Sequence, residues 1–215
     1  MEIWFLRHGE TEWNRLKRIQ GSTSHTDLTD FGIKLAELTR DGMIASGASF
    51  DRIFTSPYTR AAHTAQIIAK GFNKEVERDD FLKELSFGEY EGTEYGKGKF
   101  IDGNIEALFE RPQNYIARGS AETLESLKSR AREFINRSIK LQDEGCKRIL
   151  AVSHGAFMRS VVLLATGANI ADFWLGPQPN CAVHIIEIAA PDDIKLVARA
   201  KTFYSEEILS QTLSV

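Results

Sequence analysis

The sequence predicts an α/β fold built on a mostly parallel sheet. Residues 3–6 (Ile-Trp-Phe-Leu) form an unbroken apolar run, as expected of a strand buried on both faces. Short apolar runs then alternate with longer segments of helical periodicity, the pattern of parallel strands joined by crossover helices. Three of the runs also end in polar residues of one kind: Arg7-His8-Gly9, Ser56-Pro57 leading to Arg60, and Ser153-His154-Gly155.

Taken in order, residues 3–6 are the first strand. Residues 29–46 place Ile33, Leu35, Ala36, Leu38 and Met43 at helical spacing. Residues 52–55 are a second strand. Pro57 sits where a helix starts, residues 58–70 are Ala-rich and helical, and Gly71 is expected to end them. Residues 88–119 differ in character, with six glycines and the aromatics Tyr90, Tyr95, Phe100, Phe109 and Tyr115. They are expected to form a partly helical excursion over the surface, a candidate lid. Leu124, Leu127, Ala131, Phe134 and Ile135 recur at helical spacing in a helix that runs up to Gly145. Residues 148–153 are a third strand, 156–165 a helix, and 181–188 and 194–200 closing strands.

The chain has 215 residues, which suggests one domain over 1–215 with an insertion at about 88–119. A formal net charge of −3 and a pI near 6.0 give no footprint for nucleic acid. The apolar run after Met1 is too short for a signal peptide or a membrane span, so no membrane partner is expected. Two cysteines, Cys146 and Cys181, make no disulfide framework and no metal-ligand spacing. A reduced, cytoplasmic location follows as the expectation. Oligomeric state is not legible.

In an open parallel sheet, ligands sit beyond the carboxyl ends of the strands. Arg7, His8, Arg60 and His154 all fall just past such ends, so one rim is expected to hold two arginines and two histidines. Guanidinium groups fork onto phosphate oxygens, and fixed donors stabilise a phosphoryl group in flight. An imidazole can serve as the nucleophile. The remaining requirement is a proton donor for the leaving oxygen, which Glu84, just before the candidate lid, is placed to supply.

The sequence closely resembles the histidine phosphatase superfamily, also called phosphoglycerate mutase-like. The resemblance rests on Arg7-His8-Gly9-Glu10-Thr11 with Asn14, Gln20-Gly21, Leu28-Thr29 with Gly32, Ser56-Pro57-Tyr58-Thr59-Arg60-Ala61, Leu82-Lys83-Glu84-Leu85, and Ser153-His154-Gly155. These blocks follow the family order over nearly the whole chain. The resemblance implies a three-layer α/β/α architecture. It implies His8 as the nucleophile that becomes phosphohistidine, with Arg7, Arg60 and His154 lining the phosphate pocket. Asn14, Gln20 and Gly21 would contact phosphate or substrate, the Gly155 N–H would be a further donor, and Glu84 the acid and later the base. It implies no cofactor and no metal, and a small phosphorylated metabolite as the partner. The chain departs from the family at Asp27, which takes the place of a Pro, at Ala121-Glu122-Thr123 and at Tyr90.

The same pocket serves a phosphatase or a cofactor-dependent phosphoglycerate mutase. A mutase must clamp a second phosphate, yet residues 88–119 carry Lys97, Lys99, Arg111 and Arg118 against six acidic residues, with no adjacent Arg pair. That sign favours a phosphatase acting on small phosphomonoesters. The aromatics of residues 88–119 fit either packing against an organic leaving group or a place in the core. A non-catalytic phospho-ligand binding protein is the third reading, disfavoured by an intact His8, Glu84 and His154. Glu89 and Glu91 are expected to be solvated loop charges, His25 to be solvated, His63 structural, and His184 a sheet-face residue.

Overall fold

The computed structural model describes residues 1–22, 25–96 and 98–213. Within them a six-stranded sheet runs in the order β3-β2-β4-β1-β5-β6. The strands are β1 (Glu2–Arg7), β2 (Arg52–Thr55), β3 (Val76–Arg78), β4 (Arg148–Ser153), β5 (Val183–Ala190) and β6 (Asp193–Lys201). The first four are mutually parallel, and β5 and β6 form an antiparallel hairpin beside β1. The helices are α1 (Glu12–Arg15), α2 (Asp30–Ala45), α3 (Thr59–Phe72), α4 (Gly103–Glu110), α5 (Leu124–Ile139), α6 (Gly155–Thr166) and α7 (Glu206–Leu213).

Side chains alternate across a strand, so an unbroken apolar strand feeds two cores at once. Ile3 and Phe5 of β1 join Ile149 and Ala151 of β4 under Phe134 of α5 and Phe157 of α6. Trp4 and Leu6 join Leu150, Val152 and Ile53 under Leu35 of α2 and Ala65 and Ile68 of α3. The helix starts are set by local chemistry. Thr29 and Thr123 accept hydrogen bonds from the N–H groups of Gly32 and Ser126, satisfying donors the first turn leaves open.

Register is what positions the site. Arg7 lies opposite Ser153, and Thr55 opposite Val152, so β1, β4 and β2 end at one level. The His8 N–H donates to the Ser153 carbonyl at 3.0 Å, and the Ser56 N–H to that of Val152 at 2.9 Å. The loop after β1 is then pressed onto α2. A Cβ at Gly9 would sit 2.6 Å from the Gly32 carbonyl oxygen, and one at Gly32 would intrude on the Glu10 backbone. Only glycine at both positions allows this approach.

Several expectations are corrected. Gly71 does not end α3; it lies inside the helix, where a Cβ would crowd Arg40 and Ile44 of α2, and Asn73 in the left-handed region ends the helix instead. β3 has only three half-buried or exposed residues, too short for a periodicity to register. β5 starts at Val183 rather than Cys181, because Cys181 adopts a φ of 57° in the preceding turn. α5 stops at Ile139, and a 3-10 turn covers residues 140–142 before Gly145. Residues 88–119 contain α4 as expected but do not merely skim the surface. Tyr90, Ile105 and Leu108 are fully buried in the core that also holds Phe134 and Phe157. Lys97 and the loop residues Thr23 and Ser24 lie outside the described residues.

Candidate active site

At the shared level of β1, β2 and β4 the two histidines meet, their ring centroids 5.2 Å apart. His8 is buried, with Nδ1 2.7 Å from the Gly9 carbonyl oxygen. A carbonyl only accepts, so Nδ1 carries the proton and Nε2 keeps its lone pair. Arg60 Nε donates to that nitrogen at 3.3 Å. Burial, reinforced by the Arg60 and Arg7 guanidinium groups, holds the His8 imidazole well below its ordinary range, so it stays neutral.

Arg60 projects from the first turn of α3, is fully buried, and donates through Nη2 to the Gly21 carbonyl at 3.0 Å. Burial lowers its guanidinium to about 10. Arg7, the last residue of β1, donates through Nη1 to the Gln178 carbonyl. Its Nε is buried with no hydrogen-bond partner among the described residues. His154 is fully buried; its Nε2 is 2.8 Å from Ser56 Oγ, while its Nδ1 also lacks a partner among the described residues. Two orphaned polar nitrogens at one site carry a desolvation penalty that a bound anion would remove.

Glu84 sits over the start of α6. Its Oε1 accepts from the N–H groups of Leu85 (2.9 Å), Ala156 (3.1 Å) and Phe157 (3.1 Å), and its Oε2 from Ala156 (3.1 Å). Burial raises the Glu84 carboxyl above its usual range; these N–H groups and Arg60 oppose the rise without cancelling it. Gly155 lies between the groups: a Cβ there would be 3.6 Å from Glu84 Oε2 and 4.0 Å from Arg7 Nε. Arg130 fixes the chain that carries Glu84. It is paired with Glu122 at 2.8 Å and donates to the carbonyls of Phe81, Lys83 and Glu84.

A sequence profile described as Histidine phosphatase superfamily (branch 1) matches residues 3–199. The chain belongs to the histidine phosphatase superfamily. One relative is the 2-carboxy-D-arabinitol-1-phosphatase of Triticum aestivum, 32% identical over 188 residues, which cover 86% of this chain and 36% of that protein. The chain thus spans little more than a third of that relative. Another is the metal-independent phosphoserine phosphatase of Arabidopsis thaliana, 30% identical over 189 residues, covering 87% of this chain and 76% of the relative. Among solved structures, the phosphoserine phosphatase from Entamoeba histolytica in complex with 3-phosphoglyceric acid superposes with a TM-score of 0.79 at 28% identity, covering 94% of this chain and 97% of that one.

In this family member a cavity of about 250 Å³ opens beside the histidines. Arg7, His8, Asn14, Gln20, Glu84 and Gly155 line it. Arg60, His154 and Gly21 are not among its lining residues, although Arg60 Nε reaches His8 Nε2 and the His154 ring lies beside that of His8. Thr11 organises the near wall: its Oγ1 donates to Asn14 Oδ1 (3.1 Å) and Gln20 Oε1 (2.9 Å). Glu91 is not the solvated charge expected of it. It accepts from the Ser22 N–H (2.7 Å) and Oγ (3.1 Å) and fixes the turn after Gln20. His63 pairs with Asp27 at 2.8 Å. His184 is buried in β5 and accepts from the Ala200 N–H at 2.9 Å.

Tyr95 and Phe109, among the insertion aromatics expected either to meet an organic leaving group or to join the core, also line the cavity. Sequence reasoning missed Arg18, Arg159, Trp174 and Gln178, which line it too. The segment Gln178–Asn180 had a usable signal. β5 is antiparallel to β1, so the loop entering β5 must lie at the edge where β1 ends. There Asn180 Nδ2 donates to the His8 carbonyl at 3.0 Å, and Gln178 Nε2 to that of Gly155 at 3.1 Å. Among the described residues, no group of three His, Cys, Asp or Glu could hold a metal ion, and no helix is long and apolar enough to cross a membrane.

Proposed function

We propose that this chain is a metal-independent phosphatase that hydrolyses small phosphomonoesters through a phosphohistidine at His8. The observation that carries the reading is the contact of His8 Nδ1 with the Gly9 carbonyl, which puts the proton on Nδ1 and leaves Nε2 a free base beside two arginines. In the first step His8 Nε2 bonds to phosphorus, the phosphorus–oxygen bond to the alcohol breaks, and Glu84 delivers its proton to the leaving oxygen. In the second step water attacks phosphorus, its proton goes to the Glu84 carboxylate, and the P–N bond breaks to release phosphate. Arg7, Arg60 and His154 hold the equatorial oxygens; Asn14, Gln20, Gly21 and the Gly155 N–H orient the group or its supports. The relatives named for phosphatase activity, one of them metal-independent, support this reading.

Two of the insertion's cations are already paired with carboxylates. Lys99 pairs with Glu94 at 2.9 Å, and Arg118 with Asp102 at 3.5 Å. One observation favours the mutase reading: Arg18 and Arg159, from outside the insertion, line the cavity. The two readings separate on 3-phosphoglycerate. A phosphatase releases inorganic phosphate; a mutase yields the isomeric phosphoglycerate only when primed with a bisphosphoglycerate. Turnover of para-nitrophenyl phosphate that disappears in His8→Ala supports the phosphatase, and turnover that survives the substitution ends it. A cytoplasmic site of action is part of the proposal, supported by the free, buried thiols of Cys146 and Cys181.

A further inference from the structure

Beyond His8 and Glu84 the cavity has a wall that phosphoryl transfer does not use. Tyr95, Phe109 and Trp174 line it as one continuous stack. Tyr95 lies on Phe109 with centroids 5.7 Å and planes 12° apart, and Phe109 on Trp174 at 4.7 Å and 29°. The Trp174 indole N–H donates to the Leu108 carbonyl, which fixes the end ring. The faces of Phe109 are covered by Tyr95, Phe100 and Trp174, and Trp174 also carries Arg159, so the rings offer a ligand a flat apolar surface made largely of ring edges, with few hydrogen-bond partners.

Two cations share this end. Arg18 lines the cavity and is exposed. Arg159, from α6, lies over the Trp174 ring at 5.2 Å and donates to the carbonyls of Phe173 (3.4 Å), Leu175 (3.0 Å) and Gly176 (3.2 Å). Those bonds fix the guanidinium in place. Among the described residues neither arginine makes an ion pair with a carboxylate, and Glu84 is the one acidic residue lining the cavity. Burial above all, with the nearby Arg7 and Arg199 adding to it, lowers Arg159 to about 10.

We propose that the substrate's leaving alcohol is a flat, ring-bearing body with one acidic substituent, packed against the wall of Tyr95, Phe109 and Trp174 with its acid against Arg18 and Arg159. The proposal rests on the phosphatase reading and narrows it. A guanidinium held as Arg159 is takes a carboxylate in forked geometry, and ring packing fixes the distance from that carboxylate to the phosphoryl group.

Three esters of primary alcohols test it: benzyl phosphate, meta-carboxybenzyl phosphate and phosphoserine. All leave as primary alcohols protonated by Glu84, so differences in kcat/KM report recognition of the alcohol more than the intrinsic ease of its departure. The carboxybenzyl ester should exceed benzyl phosphate by about tenfold, the value of one charge-assisted contact. It should exceed phosphoserine by more. Arg18→Gln should bring the carboxybenzyl-to-benzyl ratio toward one, and Trp174→Leu should penalise both benzyl esters more than phosphoserine. Phosphoserine as the best substrate, or a ratio untouched by Arg18→Gln, overturns the proposal. If even para-nitrophenyl phosphate is not hydrolysed, the phosphatase reading fails instead. The subsite is then decided by calorimetry of carboxybenzyl phosphate and benzyl phosphate on His8→Ala: tighter binding of the acid supports it, and equal binding refutes it.

Discussion

Replacing Glu84 with Gln keeps the shape of the side chain and removes the proton. The Gln carbonyl oxygen can still accept from Leu85, Ala156 and Phe157, the three N–H groups that Oε1 takes at 2.9, 3.1 and 3.1 Å. What is lost is the Oε2 contact to Ala156, already shared with Oε1, so the fold should weaken by no more than about 1 kcal/mol. Chemistry should suffer far more. A positioned general acid is worth roughly a hundredfold to ten-thousandfold, or about 3–5 kcal/mol of barrier. That loss falls on a step in which a poor leaving group departs. Under single-turnover conditions, transfer from benzyl phosphate to His8 should slow by that factor in Glu84→Gln. Transfer from para-nitrophenyl phosphate, whose phenolate departs unprotonated, should change by less than about tenfold. A burst of nitrophenol followed by slow steady release should appear, because the second step still lacks its base. Equal slowing of the first step for both esters would refute the assignment of Glu84 as the acid.

The rate profile should have an acid limb set by His8, below the ordinary imidazole range, and an alkaline limb set by Glu84, above the ordinary carboxylate range. The optimum should therefore fall on the acidic side of neutral; a flat profile from neutral to alkaline pH would contradict it. Three buried histidines, His8, His154 and His184, all stay neutral well below their ordinary range, His184 to about 3. The unfolded chain binds protons there that the fold refuses, so stability falls as pH drops below about 6.5, while the raised Glu84 carboxyl offsets part of the fall. Three protons give at most about 4 kcal/mol per pH unit; urea midpoints at about pH 7.5 and about pH 5.5 that coincide would refute this. Gly32→Ala places a methyl carbon 2.8 Å from the Glu10 nitrogen. It should cost about 1–3 kcal/mol of stability and slow turnover by shifting the His8 loop, as read by thermal melts and kcat; an unaltered melt would show that the approach of α2 is not tight.

The parallel part of the sheet was legible because buried parallel strands are apolar on both faces, and β1 and β4 each end in a polar loop. Arg7, His8, Arg60, His154 and Glu84 were all named from the chain, and the register of β1, β4 and β2 brings the first four to one level. The aromatic wall of the cavity was legible only as an alternative, since the insertion aromatics fit an organic leaving group or the core equally, and its other members were not legible. Tyr95 and Phe109 come from the insertion, Trp174 and Gln178 from the loop before β5, and Arg159 from the interior of an apolar helix. Each is ordinary in its own window; only tertiary packing makes them neighbours. Gly71 misled because a glycine near a helix end suggests a stop, whereas here it serves a close helix approach. Glu91 misled because a charge in a glycine-rich loop suggests solvent, whereas here it anchors the Ser22 N–H.

The central claim is that one imidazole nitrogen takes the phosphoryl group. The most direct measurement is alkaline quenching of turnover with a phosphorus-labelled monoester, followed by peptide mapping. Base-stable, acid-labile label on the His8 peptide, absent in His8→Ala, is the expected result. Label on another residue, or undiminished turnover in His8→Ala, would contradict the account.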